Sequence, residues 1–196
     1  LSWLGSDPFS AFLVLIERDR WSVRVSEQRE VPLDKNDFSF DLDGERIRFD
    51  YAYITIHGTQ GENGLLQGYL DMIGIPYNTG DTLVGSLTFN KYVCNRFLSG
   101  FGIRIADSMR LTGRDTQPDV ADLIARMGLP LFVKPNVGGS SIATTKVVEA
   151  AQLLPAIEQA FSEGEEVMIE RLICGTEVTC GAFLRKKEVV ALPVTE

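Results

Sequence analysis

The chain has 196 residues, 44% of them hydrophobic and 23% charged, the composition of an ordinary globular protein with length for one large domain or two small ones. Its formal net charge of -8 argues against a nucleic-acid partner, which needs a basic face, but leaves room for a nucleotide site, which needs only a few local cations. No apolar run approaches the roughly 20 residues of a membrane span. Cys94, Cys174 and Cys180 form no C-x-x-C pair, so they read as reduced thiols in a reducing compartment, the cytoplasm.

Leu1 to Gly5 reads as the tail of a helix closed by glycine, and Asp7-Pro8 as a turn. Ser10 to Ile16 is a continuous apolar run, expected to form a buried parallel strand. Trp21 to Val25 follows as a short strand. The charged, Asp-rich stretch from Arg29 to Arg48 fits an excursion with a hairpin at Asp43-Gly44. Phe49 to Ile56 is a second buried-strand expectation, and it runs into the loop His57-Gly-Thr-Gln-Gly-Glu-Asn-Gly64. Leu65 to Ile73 has helical spacing and stops at Gly74. Ile75 to Tyr77 is a stub of strand. Ser86 to Leu98 reads as one helix with Leu87, Tyr92, Val93 and Leu98 inward. This alternation predicts an open α/β layer over residues 1–100, closed by the boundary at Gly100 to Gly102.

Residues 101–196 read differently. Ile103 to Leu111 is a strand-like connector, and Gln117-Pro118-Asp119 opens a helix to Met127. Leu131 to Lys134 is an apolar strand broken at Pro135. The loop Gly138-Gly139-Ser140-Ser141 leads into a β-prone run, Thr144 to Val148. Glu149 to Phe161 is helical, with Pro155 kinking it or marking its first turn. Val167 to Ile173 and Thr176 to Leu184 are strands joined at Cys174-Gly175, and a turn at Arg185-Lys-Lys187 leads to Val189 to Val194. The second part is therefore α+β, β-rich with helices on one side.

The chemistry concentrates around Lys134 and the glycine-serine loop. Two glycines let a backbone approach closely, successive N–H groups and two hydroxyls are donors, and the lysine adds charge. That suits a flap over polyphosphate, although a simple hairpin turn has the same local pattern. Neither G-x-x-x-x-G-K-[ST] nor G-x-G-x-x-G occurs, and no H-R-D or D-F-G sequence accompanies the loop. What remains is a pair of α+β layers closing on ATP. Taken singly, His57 also fits a strand-end histidine bonded to backbone, Lys91 a solvated lysine, and Glu170-Arg171 an exposed cross-strand charge pair. Lys134, ending an apolar strand, needs an anionic partner even in isolation.

Five ordered segments carry a resemblance: His57-Gly-x-x-Gly-Glu-Asn-Gly-x-Leu-Gln-Gly68, Gly74-Ile-Pro-Tyr77, Asn90-Lys91, Val133-Lys-Pro-Asn-x-x-Gly-Ser-Ser141 and Ile169-Glu-Arg-Leu-Ile-x-Gly-x-Glu177. Over about Ser10 to Glu196 the chain resembles the D-alanine–D-alanine ligases. The resemblance implies an ATP-grasp fold, an N-terminal open α/β domain followed by a β-rich lid domain. It implies a peptidoglycan enzyme that phosphorylates one D-alanine carboxylate and lets the amine of a second D-alanine attack the acyl phosphate.

It further places His57 and Ser140 at the catalytic centre, with His57 near the D-alanine carboxyl. Lys91, Lys134, Ser140, Ser141, Glu170, Arg171, Ile173 and Glu177 fall at ATP, Glu170 toward the adenine amino group and Glu177 toward the ribose. Glu62 and Asn63 read as loop residues. Asn63 stands where the family more often has Asp, and Ala143 where it commonly has glycine, which would stiffen the flap. Mg²⁺ is implied as cofactor, its ligands and the transition-state arginine being expected beyond Glu196 and the substrate-binding glutamate before Leu1. The expectation is thus a piece clipped at both ends, inactive alone, within an enzyme that leaves room for a homodimer. Competing expectations are a D-alanyl-D-lactate or D-alanyl-D-serine ligase, a nucleotide-binding module without chemistry, and another ATP-grasp carboxylate–amine ligase.

Overall fold

Contacts divide the chain between Phe89 and Asn90 into two units, where the sequence places the divide near Gly100. The computed structural model describes residues 9–113 and 118–196. The helix tail at Leu1 to Gly5, the turn at Asp7-Pro8 and the helix opening at Gln117 lie outside the described residues.

In the first unit β1 (Leu13–Ile16), β2 (Trp21–Ser26) and β3 (Arg29–Pro32) form an antiparallel meander in that order. The expected buried parallel strand at Ser10 to Ile16 is therefore a short, half-exposed antiparallel edge, with Leu13 opposite Arg24 and Ile16 opposite Trp21. A hairpin follows, β4 (Ser39–Leu42) and β5 (Glu45–Arg48), turning at Asp43-Gly44 as the sequence predicts. Both turn residues have positive φ, 51° and 93°, the type I′ geometry that suits strand twist.

Phe49 to Ile56 forms no strand, although burial alternates from Tyr51 onward. Its ladder is a single parallel bridge, Ala52 with Tyr77. The next rung is made by a side chain: the Ile54 N–H donates to Asn78 Oδ1 at 2.7 Å, and Asn78 Nδ2 donates back to the Ile54 carbonyl at 3.2 Å. An amide side chain thus stands in for a strand neighbour. Helix α1 (Leu65–Ile73) ends at Gly74 as expected and lays Leu66 and Leu70 on a core with Val23, Phe38, Phe40 and Ile54. Aromatic edges fill the remainder, including Trp21 against Tyr69 at 5.1 Å and Phe12 against Phe40 at 5.0 Å.

The single helix expected over Ser86 to Leu98 is two helices, α2 (Thr82–Phe89) and α3 (Lys91–Ser99). Asn90 separates them in an extended conformation, and its side chain caps α3 by accepting from the Val93 N–H. The Thr88 hydroxyl donates back to the Val84 carbonyl at 2.7 Å. Helix α3 belongs with the second unit because its start bonds to Asn136 and its Arg96 donates to the Ser108 carbonyl.

The second unit is built on an antiparallel sheet, order β6-β9-β7-β8, of β6 (Ser108–Thr112), β7 (Leu131–Pro135), β8 (Thr145–Val147) and β9 (Glu166–Arg171). Helix α4 (Val120–Met127) starts at Asp119, whose side chain accepts from the Asp122 N–H, and stops at Gly128. A short 3₁₀ turn (Ala150–Gln152) leads into α5 (Leu153–Phe161), with Pro155 in the first turn where a missing N–H is tolerated. Helix α5 packs Leu153, Ala156, Ile157 and Ala160 on Leu131, Val133, Val147, Val167 and Ile169. Alternation along β7 and β9 sends Phe132, Lys134, Met168 and Glu170 to the opposite face.

Pro135 does not break β7; it is the last residue of the strand, opposite Val167. Its missing N–H falls beyond the reach of β8, which pairs only with Leu131 to Val133. The strands expected at Val167 to Ile173 and Thr176 to Leu184 do not meet at Cys174-Gly175. Strand β9 ends at Arg171, and β10 (Ala182–Arg185) pairs with β11 (Glu188–Ala191) in a separate exposed hairpin turned at Lys186-Lys187.

Candidate functional site: a two-lysine cleft under a glycine-serine loop

A cleft of about 340 Å³ opens in the second unit between the end of β7, the start of α3 and the loop from Val137 to Thr144. Lys91, Lys134, Ser140 and Ser141, four of the residues singled out in the sequence, line it together. Lys134 reaches it because period-2 alternation turns it away from the helix-covered core. On that face its ammonium donates to the Glu170 carboxylate, diagonal to it across the β7–β9 ladder. The two side chains are only 21% and 15% exposed, so each supplies the partner that the other's burial demands.

Lys91, the first residue of α3, donates its ammonium to the carbonyls of Pro135 at 3.1 Å and Gly138 at 2.9 Å. Burial pushes the Lys91 ammonium below the ordinary lysine range, the neighbouring Lys134 pushes it further, and Glu170 pulls it partly back. Lys91 and Lys134 line the cleft together with the Glu163 carboxylate, and Glu170 takes up the Lys134 ammonium, so the formal charges there balance.

The loop over the cleft is open. Gly138 has φ 103°, and Ser140, Ser141 and Ala143 take left-handed values of 56°, 54° and 52°. A Cβ added at Gly138 or Gly139 would meet nothing within 4 Å. Within the loop the Ile142 N–H bonds to Gly139 and the Thr144 N–H to Ser141. Among the described residues the N–H groups from Gly138 to Ser141 have no acceptor, a row of donors at the mouth of the cleft.

The other predicted residues are placed as follows. Arg171 ends β9, exposed, with Asp107 3.8 Å away. Ile173 is 70% exposed and, like the exposed Glu177, lies past the end of β9 and does not line this cleft. His57 belongs to the first unit, where its ring is 96% exposed and Nδ1 lies 3.8 Å from Glu62. Glu62 and Asn63 hold the loop's own backbone: Glu62 accepts from the Gly58 N–H, and Asn63 from those of Gln60 and Leu65. Among the described residues no group of three or more His, Cys, Asp or Glu side chains could hold a metal ion.

Three polar residues escaped sequence reasoning. Asn136, fully buried, donates to Asn90 Oδ1 and Glu166 Oε2 while its own Oδ1 accepts from the Tyr92 N–H. Glu166 is held on its other side by Arg110 at 3.2 Å. Gln67 is buried in α1 and donates to the Gly61 carbonyl and the Thr79 hydroxyl. No local signal marked them: Asn136 follows β7 at the phase of Phe132 and Lys134, the face turned away from the helix-covered core.

A β-sheet backed by a helix, with a lysine at a strand end and a glycine-serine loop above it, is the ATP-grasp arrangement. The fold agrees with solved ATP-grasp ligases: D-alanyl-alanine synthetase A from Vibrio cholerae (TM-score 0.84, 26% identity, 98% of this chain and 58% of that one) and the VanG D-Ala:D-Ser ligase from Enterococcus faecalis (TM-score 0.83, 28% identity, 96% and 60%). A D-alanine–D-alanine ligase from Bacillus anthracis complexed with ATP matches with TM-score 0.64 and 33% identity over 74% of this chain and 47% of that one. In sequence, the family described as D-ala D-ala ligase C-terminus matches residues 97–196. The chain belongs to the D-alanine–D-alanine ligase family. It is 98% identical over all 196 residues to the D-alanine–D-alanine ligase of Porphyromonas gingivalis strain W83 and 50% identical over 195 residues to that of Parabacteroides distasonis. The chain spans about 59% of the length of both.

Proposed function

We propose that this chain carries the ATP-gripping part of a cytoplasmic ligase that joins two D-alanines for peptidoglycan, and so for the cell wall. The observation that carries the reading is the convergence of Lys91 and Lys134 beneath a loop whose N–H groups from Gly138 to Ser141 have no acceptor among the described residues. The two ammonium groups and the row of donors fit a triphosphate. Ser140 and Ser141 present hydroxyls at the same mouth, and Ser140 faces the phosphoryl group in transfer. Glu170, with one oxygen engaged by Lys134, keeps the other for the adenine amino group; Arg171, Ile173 and Glu177 follow along the nucleotide toward the ribose.

In the proposed reaction the terminal phosphoryl group of ATP passes to a carboxylate oxygen of the first D-alanine, and ADP leaves. The amine of the second D-alanine attacks the resulting acyl phosphate, the C–N bond forms and phosphate departs with the C–O electron pair. Positioning and charge stabilisation are this chain's share of the work. His57 would hydrogen-bond the D-alanine carboxyl group. Mg²⁺ would neutralise phosphate charge when bound, and the described residues contain no group of three or more His, Cys, Asp or Glu side chains that could hold it.

In a chain extended to the length of its relatives, D-alanine and Mg-ATP together should release ADP and phosphate in equal amounts. Absence of both products sinks the ligase reading, and ATP binding without turnover would point to a nucleotide-binding module. The likeness to a D-Ala:D-Ser ligase makes D-serine the first competing second substrate, to be run against D-alanine and D-lactate in the same assay.

A further inference from the structure

The start of α3 is not a vacant anion site, because its first three N–H groups are already taken. Lys91 N–H donates to the Asn136 carbonyl at 3.0 Å, Tyr92 N–H to Asn136 Oδ1 at 2.8 Å, and Val93 N–H to Asn90 Oδ1 at 3.0 Å. Two of these three caps come from one residue some 44 positions away in sequence. Asn136 is also the residue after β7, and its own N–H continues the ladder to the Glu166 carbonyl at 2.9 Å. Its side-chain amide is fully engaged, and Glu166, which takes one of its protons, is anchored by Arg110.

From this network we propose that Asn136 is a positioning residue for nucleotide binding: it welds the first turn of α3 to the end of β7 and so holds the Lys91 ammonium in register with Lys134. The proposal rests on the nucleotide reading of the cleft. Lys91 leaves α3 at its first residue and bonds the Pro135 and Gly138 carbonyls, on either side of Asn136 in sequence. If Asn136 lets go, the lysine and the base of the loop lose their shared reference point, and a small displacement of a charged group costs binding steeply. Asn136 touches no phosphate itself. It acts through Lys91.

The test uses two variants in a chain extended to the length of its relatives. Asn136→Ala removes the amide but risks unfolding, since the side chain is fully buried. Asn136→Asp keeps its shape and the acceptor for Tyr92 while turning the Glu166-facing donor into a second anion. Two quantities are read: amide hydrogen exchange at Lys91, Tyr92 and Val93, and ATP affinity by calorimetry. In Asn136→Asp both should change by about tenfold, exchange faster and binding weaker. Adding Glu166→Gln restores a donor opposite the new carboxylate and should recover most of each, which a merely damaged fold would not do. Faster exchange with ATP affinity within about twofold of the parent overturns the positioning role, as does unchanged exchange in a folded variant. If the parent chain itself fails to bind ATP, the nucleotide reading falls, and exchange alone then decides whether Asn136 holds α3.

Discussion

Two glycine-bearing loops in this chain use glycine for opposite ends. In the loop from His57 to Gly64 glycine permits close packing: a Cβ at Gly61 would lie 2.2 Å from the Ile56 carbonyl oxygen, and one at Gly64 2.5 Å from that of Thr82. In that loop the Gly58 and Gln60 N–H groups donate to Glu62 and Asn63 and that of Glu62 to the Gly58 carbonyl, while Gly58 itself has open space around it. In the loop from Val137 to Thr144 the glycines touch nothing, and N–H groups stay unbonded among the described residues. One loop is packed tightly around Gly61 and Gly64; the other leaves both its glycines in open space. Glycine content alone says nothing about which is which.

The comparison can be broken most decisively by adding one methyl group to each loop. Gly61→Ala should cost about 3 kcal/mol or more, because backbone would have to move, whereas Gly139→Ala should stay within about 0.5 kcal/mol. Urea unfolding of both measures the contrast, and similar losses would erase the distinction. Lys134→Ala comes next. In a chain extended to its relatives' length it should raise the ATP requirement about a hundredfold while D-alanine dependence changes little. His57→Ala should do the reverse. Steady-state kinetics with each substrate varied in turn separates them, and ATP use untouched by Lys134→Ala would end the reading of the open loop as a phosphate lid.

A smaller effect is expected from pH. Phosphate needs Lys91 charged, and burial together with Lys134 lowers its pKa. ATP affinity should therefore be full at neutral pH and fall as pH rises through a value below the ordinary lysine 10.5. Without nucleotide the sign reverses: in that window the unfolded chain binds the proton more tightly, so stability rises with pH. Lys91→Arg should remove the alkaline loss of affinity, as calorimetry across pH would reveal. The smallest effect is expected at Ala143, whose φ of 52° suits glycine. Ala143→Gly should relieve strain there by about 0.5–1 kcal/mol and ease motion of the open loop, measured as faster exchange of its amides with global stability kept.

Much of this architecture was legible from local rules. Asp43-Gly44 announced its hairpin, Gly74 its helix end, and Leu131 to Lys134 its strand. Legibility failed where a distant partner decided the outcome. The apolar run at Ser10 to Ile16 suggested burial on both sides, yet β1 is an edge. Tyr51 to Ile56 alternates like a strand, but its neighbour is mostly one asparagine side chain. The break at Asn90 was hidden because an N-cap in mid-pattern looks like any polar residue on a helix.

By itself the sequence determined the family, through five motifs in order, and the chemical inventory of the cleft: two lysines, two serines and paired glycines. Those depend on residue identity and spacing along the chain. Only the tertiary structure decided that Lys134 meets Glu170, that Lys91 grips the carbonyls around Asn136, and that Asn136 caps α3. These contacts join residues 36 to 47 positions apart, and their partners are chosen by strand register and the buried amide's need for a full set of hydrogen bonds, which no local pattern records.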